Sequence, residues 1–437
     1  MIVMKFGGTS VGNAECFKRA CDTIRRFIAR RPLVVVSAVS GVTNLLDNAA
    51  TRAAAGRSLL EEVISPHRSI IRDLGLEPRV LEKQFESLRS VLESIALAGE
   101  LSPENRDEVH SFGERFSSAI LAAHMTSMQV PSKAWDAGDA GNITSDMFGC
   151  ARPIPGAAKL IRDWFASIGS EVPIVTGYIG RTLDGRRTTL GRGGSDLSGA
   201  IFAAALNAEE LQIWTDVVGV MSADPRIVPH ARTIPVLSFE EAAELAFRGA
   251  KVLHPDTVYP VREAGIPVRV LNSFAPGADG TLIVEKAIRA GVKCFTSQPD
   301  LLEWSFFEQF GIPRSHQICD ALSVLSDHSL PISVLTTSES GFAVLTTYSP
   351  EYSKAVADLV RIARVSVQTH CALVSLVGEG VGSEGDSVEA ACRTLREAGV
   401  AWRLLVTSPT GKSFSFVIED ANLSRALTAL HANFPLI

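Results

Sequence analysis

Residues Val3-Met4-Lys5-Phe6-Gly7-Gly8-Thr9-Ser10-Val11 limit the fold more than any other stretch of this 437-residue chain. A short apolar strand delivers a lysine, then two glycines and two hydroxyl residues, into a helical pattern that begins near Asn13. A strand that turns through Gly-Gly into a helix is half of a βα unit. It lets backbone N–H groups approach an anion at a helix start. Lys5 adds a fixed cation there. The turn has the makings of a phosphate cradle, although the Walker pattern G-x-x-x-x-G-K-[ST] is absent. The plain alternative is a connection that binds nothing.

A second glycine-rich loop, Thr188-Thr189-Leu190-Gly191-Arg192-Gly193-Gly194-Ser195-Asp196, opens the helical run Leu197 to Leu206. Arg192 can grip a carboxylate or phosphate with two parallel bonds. A flexible exit from the Asp184-Gly185 turn is the competing reading. Two charged loops at two helix starts favour a binding site over two idle turns.

From residue 1 to about 280 strands and helices alternate. Leu33–Ser37, Val172–Ile179 and Glu210–Asp216 read as strands. Helical periodicity runs from Leu45 to Leu97, divided by Pro66 and Pro78, then over Glu104–Met125 and Phe239–Phe247. The alternation predicts an α/β fold: a mainly parallel sheet sandwiched by helices, with ligands beyond the carboxyl ends of strands. After Pro276-Gly277-Ala278-Asp279-Gly280 the character changes. Pro331–Thr337, Gly341–Thr347 and Tyr352–Arg361 read strand, strand, helix, and Ala401–Ser408, Lys412–Glu419 and Leu423–Asn433 repeat that order. An internal duplication of a small αβ unit follows, either a ligand-binding or dimer-forming module or a structural appendage.

Length predicts two or three domains. A net charge of −6 argues against a nucleic-acid binder, which needs a basic face. Arg25, Arg26, Arg30 and Arg31 close a predicted helix, where they offset its dipole. No uninterrupted apolar run is long enough to span a membrane, and the N-terminus lacks a secretory layout. Seven scattered cysteines without a C-x-x-C pair predict reduced thiols in a cytoplasmic protein, with Cys16 and Cys21 as buried helix residues.

Taken in order, several motifs resemble those of the aspartate kinases, in the amino-acid kinase superfamily. They are Lys5–Ser10, Ser40-Gly41-Val42-Thr43-Asn44, Phe112-Gly113-Glu114-Arg115, Gly191–Asp196, Trp214-Thr215-Asp216-Val217, Asp224-Pro225-Arg226 and Gly249-Ala250-Lys251-Val252-Leu253-His254-Pro255. The likeness covers nearly the whole chain. It implies an amino-acid kinase domain over 1–280 and two ferredoxin-like ACT units over 293–372 and 373–437. It also implies transfer of the γ-phosphoryl of ATP to the β-carboxylate of L-aspartate, the first step towards lysine or diaminopimelate, threonine and methionine. By resemblance Lys5 stabilises the transferring group and Asp196 orients it, without taking a proton, because the substrate carboxyl is already ionised. Thr43, Glu114, Arg192, Gly193, Gly194 and Ser195 hold aspartate, Glu114 on the ammonium and Arg192 on the α-carboxylate. Lys5, Gly7, Gly8, Thr9, Ser10, Thr215, Asp216, Met221, Asp224, Arg226, Lys251 and Val252 hold the nucleotide, and His254 is a core histidine. Magnesium is implied with ATP, with no ligand assigned. A homo-oligomer through the ACT units is implied as well.

The chain departs from the family pattern at four places. Met221 stands where a tyrosine is frequent, Val218 where a proline is, and Gly138 where an arginine follows Asp136. Gly311-Ile312-Pro313-Arg314-Ser315-His316-Gln317 replaces the pattern of members that sense an end product, so lysine or threonine feedback is expected to be weakened or retuned. Two rival readings stay open: a kinase for another carboxylate such as glutamate or acetylglutamate, and a catalytically silent amino-acid sensor. A fused dehydrogenase is not expected at this length.

Overall fold

The computed structural model describes residues 1–249, 255–286, 289–307, 311–382 and 385–434. Its strands in chain order are β1 (Val3–Phe6), β2 (Leu33–Val36), β3 (Ser132–Trp135), β4 (Val172–Thr176), β5 (Ile179–Arg181), β6 (Arg187–Thr189), β7 (Leu211–Thr215), β8 (Val236–Ser238), β9 (Val268–Asn272), β10 (Thr281–Val284), β11 (Cys294–Phe307), β12 (Ile332–Ser338), β13 (Gly341–Thr347), β14 (Arg364–Val377), β15 (Trp402–Thr407) and β16 (Ser413–Glu419). The chain divides into two compact units. The first takes residues 1–220, 233–243 and 251–287; the second takes 221–232, 244–250 and 288–437.

The first unit is built on an eight-stranded sheet in the order β3-β4-β2-β1-β7-β9-β10-β8. Its pairings are parallel except that of β9 with β10. β1, β2, β4 and most of β7 are buried, as strands covered on both faces must be. Phe6 is level with Val36 and with Trp214, and Val36 with Thr176. The carboxyl ends of β2, β1, β7 and β4 therefore open on one edge, where ligands of such sheets bind. The central helix, Pro103–Ser127, starts with Ser102 capping Asn105 and Pro103 in its first turn. It buries Val109, Phe112, Phe116, Ile120 and Met125 together with Ser111, Gly113, Glu114 and Ser117, as a helix enclosed on most sides does.

The helices between residues 42 and 98 correct one expectation. Pro66 lies inside helix Leu60–Asp73 and does not divide it. Val63, Ile64, His67, Ile70 and Ile71 are buried on that helix, and this burial offsets the backbone bond a proline removes. The first break follows Ala55, and the second, after Leu74, holds Pro78 as expected; Gly56 and Gly75 take φ of 72° and 67° at these ends.

The second unit contains a six-stranded antiparallel sheet in the order β12-β13-β11-β14-β16-β15. The order is palindromic: β12 answers β15, β13 answers β16, and β11 answers β14. The duplication read from sequence is therefore two ferredoxin-like ACT units. Their central strands β11 and β14 each run 14 residues and pair from Cys294–Val377 to Phe307–Arg364. One half of each strand completes one unit and the other half completes the other. Trp304, Phe306, Phe342, Leu325 and Leu359 form the core beside the first pair of helices. Phe295, Phe414, Phe416, Leu395 and Leu430 form the core beside the second.

Candidate active site

A cleft of about 630 Å³ opens at the carboxyl edge of the first unit's sheet. It is lined by the turn after β1, the Ser37–Gly41 loop after β2, Tyr178 after β4 and the loop from Gly191 to Asp196. Lys5, Gly8, Thr43, Glu114, Arg192, Gly193, Gly194, Ser195 and Asp196, all foreseen from sequence, meet there.

Lys5 is 7% exposed and its Nζ lies 2.5 Å from Asp196 Oδ1, on the first turn of helix Gly194–Ala205. Two opposite charges held together at a cleft wall offset part of each other's desolvation cost. Gly8 fits because a Cβ there would meet the Ala38 carbonyl at 2.9 Å. Gly7 is committed differently: its N–H donates to the Trp214 carbonyl at 3.0 Å. Ser10 is buried, and its hydroxyl contacts the Trp214 carbonyl and Ser273 Oγ at 3.1 and 2.9 Å. Gly7 ties the end of β1 to β7, and Ser10 ties the following turn to β7 and to the residue after β9. The amide of Gly8 makes no hydrogen bond among the described residues, so of the two glycine amides only that of Gly8 is left open.

Glu114 is 3% exposed. Its Oε1 accepts the Ala38 N–H at 3.0 Å, while Oε2 is buried with no hydrogen-bond partner among the described residues. Burial pushes its carboxyl up to about 8, against the pull of the Ala38 amide, the Lys5 charge and the Ser195 hydroxyl. Gly113 makes this approach possible, since a Cβ there would stand 2.6 Å from the Ala38 Cβ. Ser117 adds a bond from its hydroxyl to the Ser37 carbonyl at 2.6 Å. Arg192 is exposed and has no partner among the described residues. Its loop is shaped by Gly191 and Gly193 at φ of 79° and 70°. The cleft thus offers a buried acid with an open oxygen, an open guanidinium and a lysine–aspartate pair. An α-amino acid and a phosphate fit that set.

Tyr178 escaped the sequence reading. It has φ of 67°, unusual for a bulky residue, and its ring sits against Gly194, where a Cβ would meet it at 2.6 Å. Nothing in its flanking residues announces that conformation.

The remaining nucleotide candidates are placed separately. Thr215 ends β7 in the first unit and Asp216 follows it, joined by a bond from the Thr215 hydroxyl to Asp216 Oδ1 at 3.1 Å. Met221, Asp224 and Arg226 belong to the second unit. Arg226 reaches both Asp224 oxygens, at 2.7 Å for the shortest, and holds the Asp224 carboxyl below its ordinary range. Thr9 lies in the short helix Gly8–Val11. Lys251, Val252 and His254 lie outside the described residues. At Gly138 the missing arginine has a physical counterpart: a Cβ there would meet Arg181 Cβ at 2.5 Å. Arg181 pairs with Asp139 at 2.6 Å, and Arg187 pairs with Asp136 at 2.9 Å.

Residues 1–272 match the model of the amino acid kinase family. Aspartokinase 1, chloroplastic, of Arabidopsis thaliana is 34% identical over 99% of this chain and 80% of its own length. Lysine-sensitive aspartokinase 3 of Escherichia coli is 32% identical over 99% of each chain. Among solved structures, E. coli aspartokinase III in complex with lysine and aspartate aligns with a TM-score of 0.85 at 29% identity over 99% of each chain. The same enzyme in complex with aspartate and ADP aligns at 0.80 and 28% over 99% of each chain. With this architecture and these likenesses along its length, the chain belongs to the amino acid kinase family, and within it to the aspartokinases, the aspartate kinase enzymes.

Proposed function

We propose that this enzyme transfers the γ-phosphoryl of ATP to the β-carboxylate of L-aspartate, giving 4-phospho-L-aspartate and ADP, as the first step towards lysine or diaminopimelate, threonine and methionine. The observation that carries the reading is the convergence, in one cleft, of the Lys5–Asp196 pair with Glu114 and Arg192. Aspartate enters with two carboxylates and one ammonium. Glu114 Oε2 takes the ammonium, Arg192 takes the α-carboxylate, and Thr43 and Ser195 supply hydroxyl contacts. The β-carboxylate then faces Lys5.

A β-carboxylate oxygen forms the new P–O bond while the bond from γ-phosphorus to the β,γ-bridging oxygen breaks and ADP leaves. No proton moves, since the nucleophile is already an anion. Repulsion between carboxylate and triphosphate is the main obstacle, so charge screening and in-line placement supply most of the rate. Lys5 spreads its charge over the moving phosphoryl, and Asp196 keeps the lysine aimed. The Gly8 amide holds a phosphate oxygen. Gly7, Thr9 and Ser10 shape that turn, and Thr215, Asp216, Met221, Asp224, Arg226, Lys251 and Val252 complete nucleotide binding.

Among the described residues no group of three or more His, Cys, Asp or Glu side chains could hold a metal. Magnesium, implied with ATP and with no protein ligand assigned, would be carried by the phosphates and water. There it would neutralise phosphate charge. No described helix is long and apolar enough to cross a membrane, and we place the enzyme in the cytoplasm as a homo-oligomer through its ACT units, with lysine or threonine feedback weakened or retuned.

The test is turnover of ATP with aspartate, trapping the acyl phosphate with hydroxylamine. Aspartate-dependent hydroxamate supports the reading. ATP turnover with glutamate or acetylglutamate in its place, or none with any acid, refutes it.

A further inference from the structure

Helix Pro103–Ser127 carries a second buried acid that phosphoryl transfer does not use. Asp107 is 1% exposed and lies seven residues before Glu114. Seven residues make two turns, about 10 Å along the axis, and bring the two acids onto one face of the helix. Both Asp107 oxygens are engaged by other parts of the chain. Oδ2 accepts the Thr189 N–H at 2.7 Å and the Gly149 N–H at 2.9 Å, and Oδ1 accepts the Thr189 hydroxyl at 2.9 Å.

Each partner leads to the mouth of the cleft. Thr189 ends β6, and Arg192 follows three residues later. Gly149 lines the cleft, and its carbonyl stands 2.9 Å from where a Cβ on Gly191 would be. The far side of this joint is closed as well. The Ala151 N–H donates to the Thr189 carbonyl at 2.9 Å, and Arg152 Nη1 donates to the Leu190 carbonyl at 2.9 Å. Burial raises the Asp107 carboxyl pKa, and the three donors pull it back down. A carboxylate this enclosed is costly unless its bonds are made, so the joint has one favoured geometry.

We propose that Asp107 is a positioning residue that fixes the span between Glu114 and Arg192, and so sets how well the cleft holds the ammonium and the α-carboxylate of aspartate at once. The helix acts as a ruler: Glu114 marks one end, and Asp107 ties the loop bearing Arg192 to the other. The inference rests on the reading of Glu114 and Arg192 as substrate contacts.

Steady-state kinetics on the full chain, with aspartate and ATP varied separately, test it. Asp107→Asn keeps the size but turns an amide donor towards backbone donors. The expected result is an aspartate KM raised about tenfold or more, an ATP KM within about twofold, and kcat down less than about threefold. Thr189→Val removes only the hydroxyl bond and should raise the same constant about threefold. It decides the matter if Asp107→Asn does not yield folded protein. Aspartate KM unchanged, or both KM values rising together, overturns the proposal. Glu114→Gln run alongside separates the two failures. If it raises the aspartate KM while the Asp107 and Thr189 variants do not, this inference alone falls. If it leaves that KM unchanged, the substrate reading fails and takes this inference with it.

Discussion

The two ends of the proposed reaction are held in place by different means. At the amino-acid end the charges other than the open Arg192 are fixed by partners distant in sequence: Glu114 by the Ala38 amide, Lys5 by Asp196, Asp107 by Thr189 and Gly149. At the nucleotide end the named side chains hold on to close neighbours, Thr215 to Asp216 and Arg226 to Asp224. Those residues are also divided between the two compact units. Long-range fixation is what preorganisation requires, because dipoles aimed before the substrate arrives cost no reorganisation during the reaction. Local pairs hold their own turn and must exchange partners when a ligand binds. The contrast predicts large, selective losses at the amino-acid end and milder ones at the other.

The sharpest challenge to that contrast is Lys5→Met. It should lower kcat roughly a thousandfold, while aspartate KM changes only a few-fold, as measured by hydroxamate formation. A loss below about tenfold would remove Lys5 from the transferring phosphoryl. Next, Glu114→Gln should raise aspartate KM about thirtyfold and leave ATP KM unchanged. The same carboxyl sets a pH dependence. With its pKa pushed up to about 8, Glu114 is protonated in the free enzyme below that value and cannot pair with an ammonium. Thus kcat/KM for aspartate should fall by up to about tenfold per unit as pH drops below 8, and Glu114→Gln should flatten that fall.

At the nucleotide end, Arg226→Ala should raise ATP KM only about fivefold, because the guanidinium is 88% exposed and already paired. An effect as large as that of Glu114→Gln would erase the distinction between the ends. The smallest effect on catalysis belongs to His67, buried against Phe116 with its Nε2 unpartnered among the described residues. Burial lowers its pKa from 6.5 to about 4. Above 6.5 folded and unfolded chains are both neutral at this ring and stability is unaffected. Between 6.5 and 4 the unfolded chain binds the proton that the folded one refuses, so stability falls by roughly 3 kcal/mol as pH drops. Denaturation of His67→Leu across that range should lack this slope, with kinetic constants near the parent's at neutral pH.

Much of this was legible before any coordinates. Glycine-rich turns between an apolar strand and a helix locate the cleft, since only a few backbone shapes join such elements. The repeat of strand, strand, helix announces the second sheet. Other features have no local signature. Asp107 reads as an ordinary acid early in a helix, and only its distance from Thr189 in space gives it work. Ser10 and Gly7 look like phosphate contacts in the motif, yet their partners Trp214 and Ser273 lie more than 200 residues away. Pro66 misleads for the opposite reason: a local rule against proline in helices yields to the burial of five neighbours. Tyr178 needs the ring's seat beside Gly194 to explain its backbone.

The two long strands that serve both ACT units carry a consequence for how such a module can change. Neither unit owns a full set of strands, so cutting one away would leave its twin with an unfinished edge open to aggregation. Sequence drift in β11 or β14 is felt on both sides at once. A new sensing property in one unit must therefore arise without disturbing a backbone that its sibling also depends on, which confines variation to the peripheral helices and their connections.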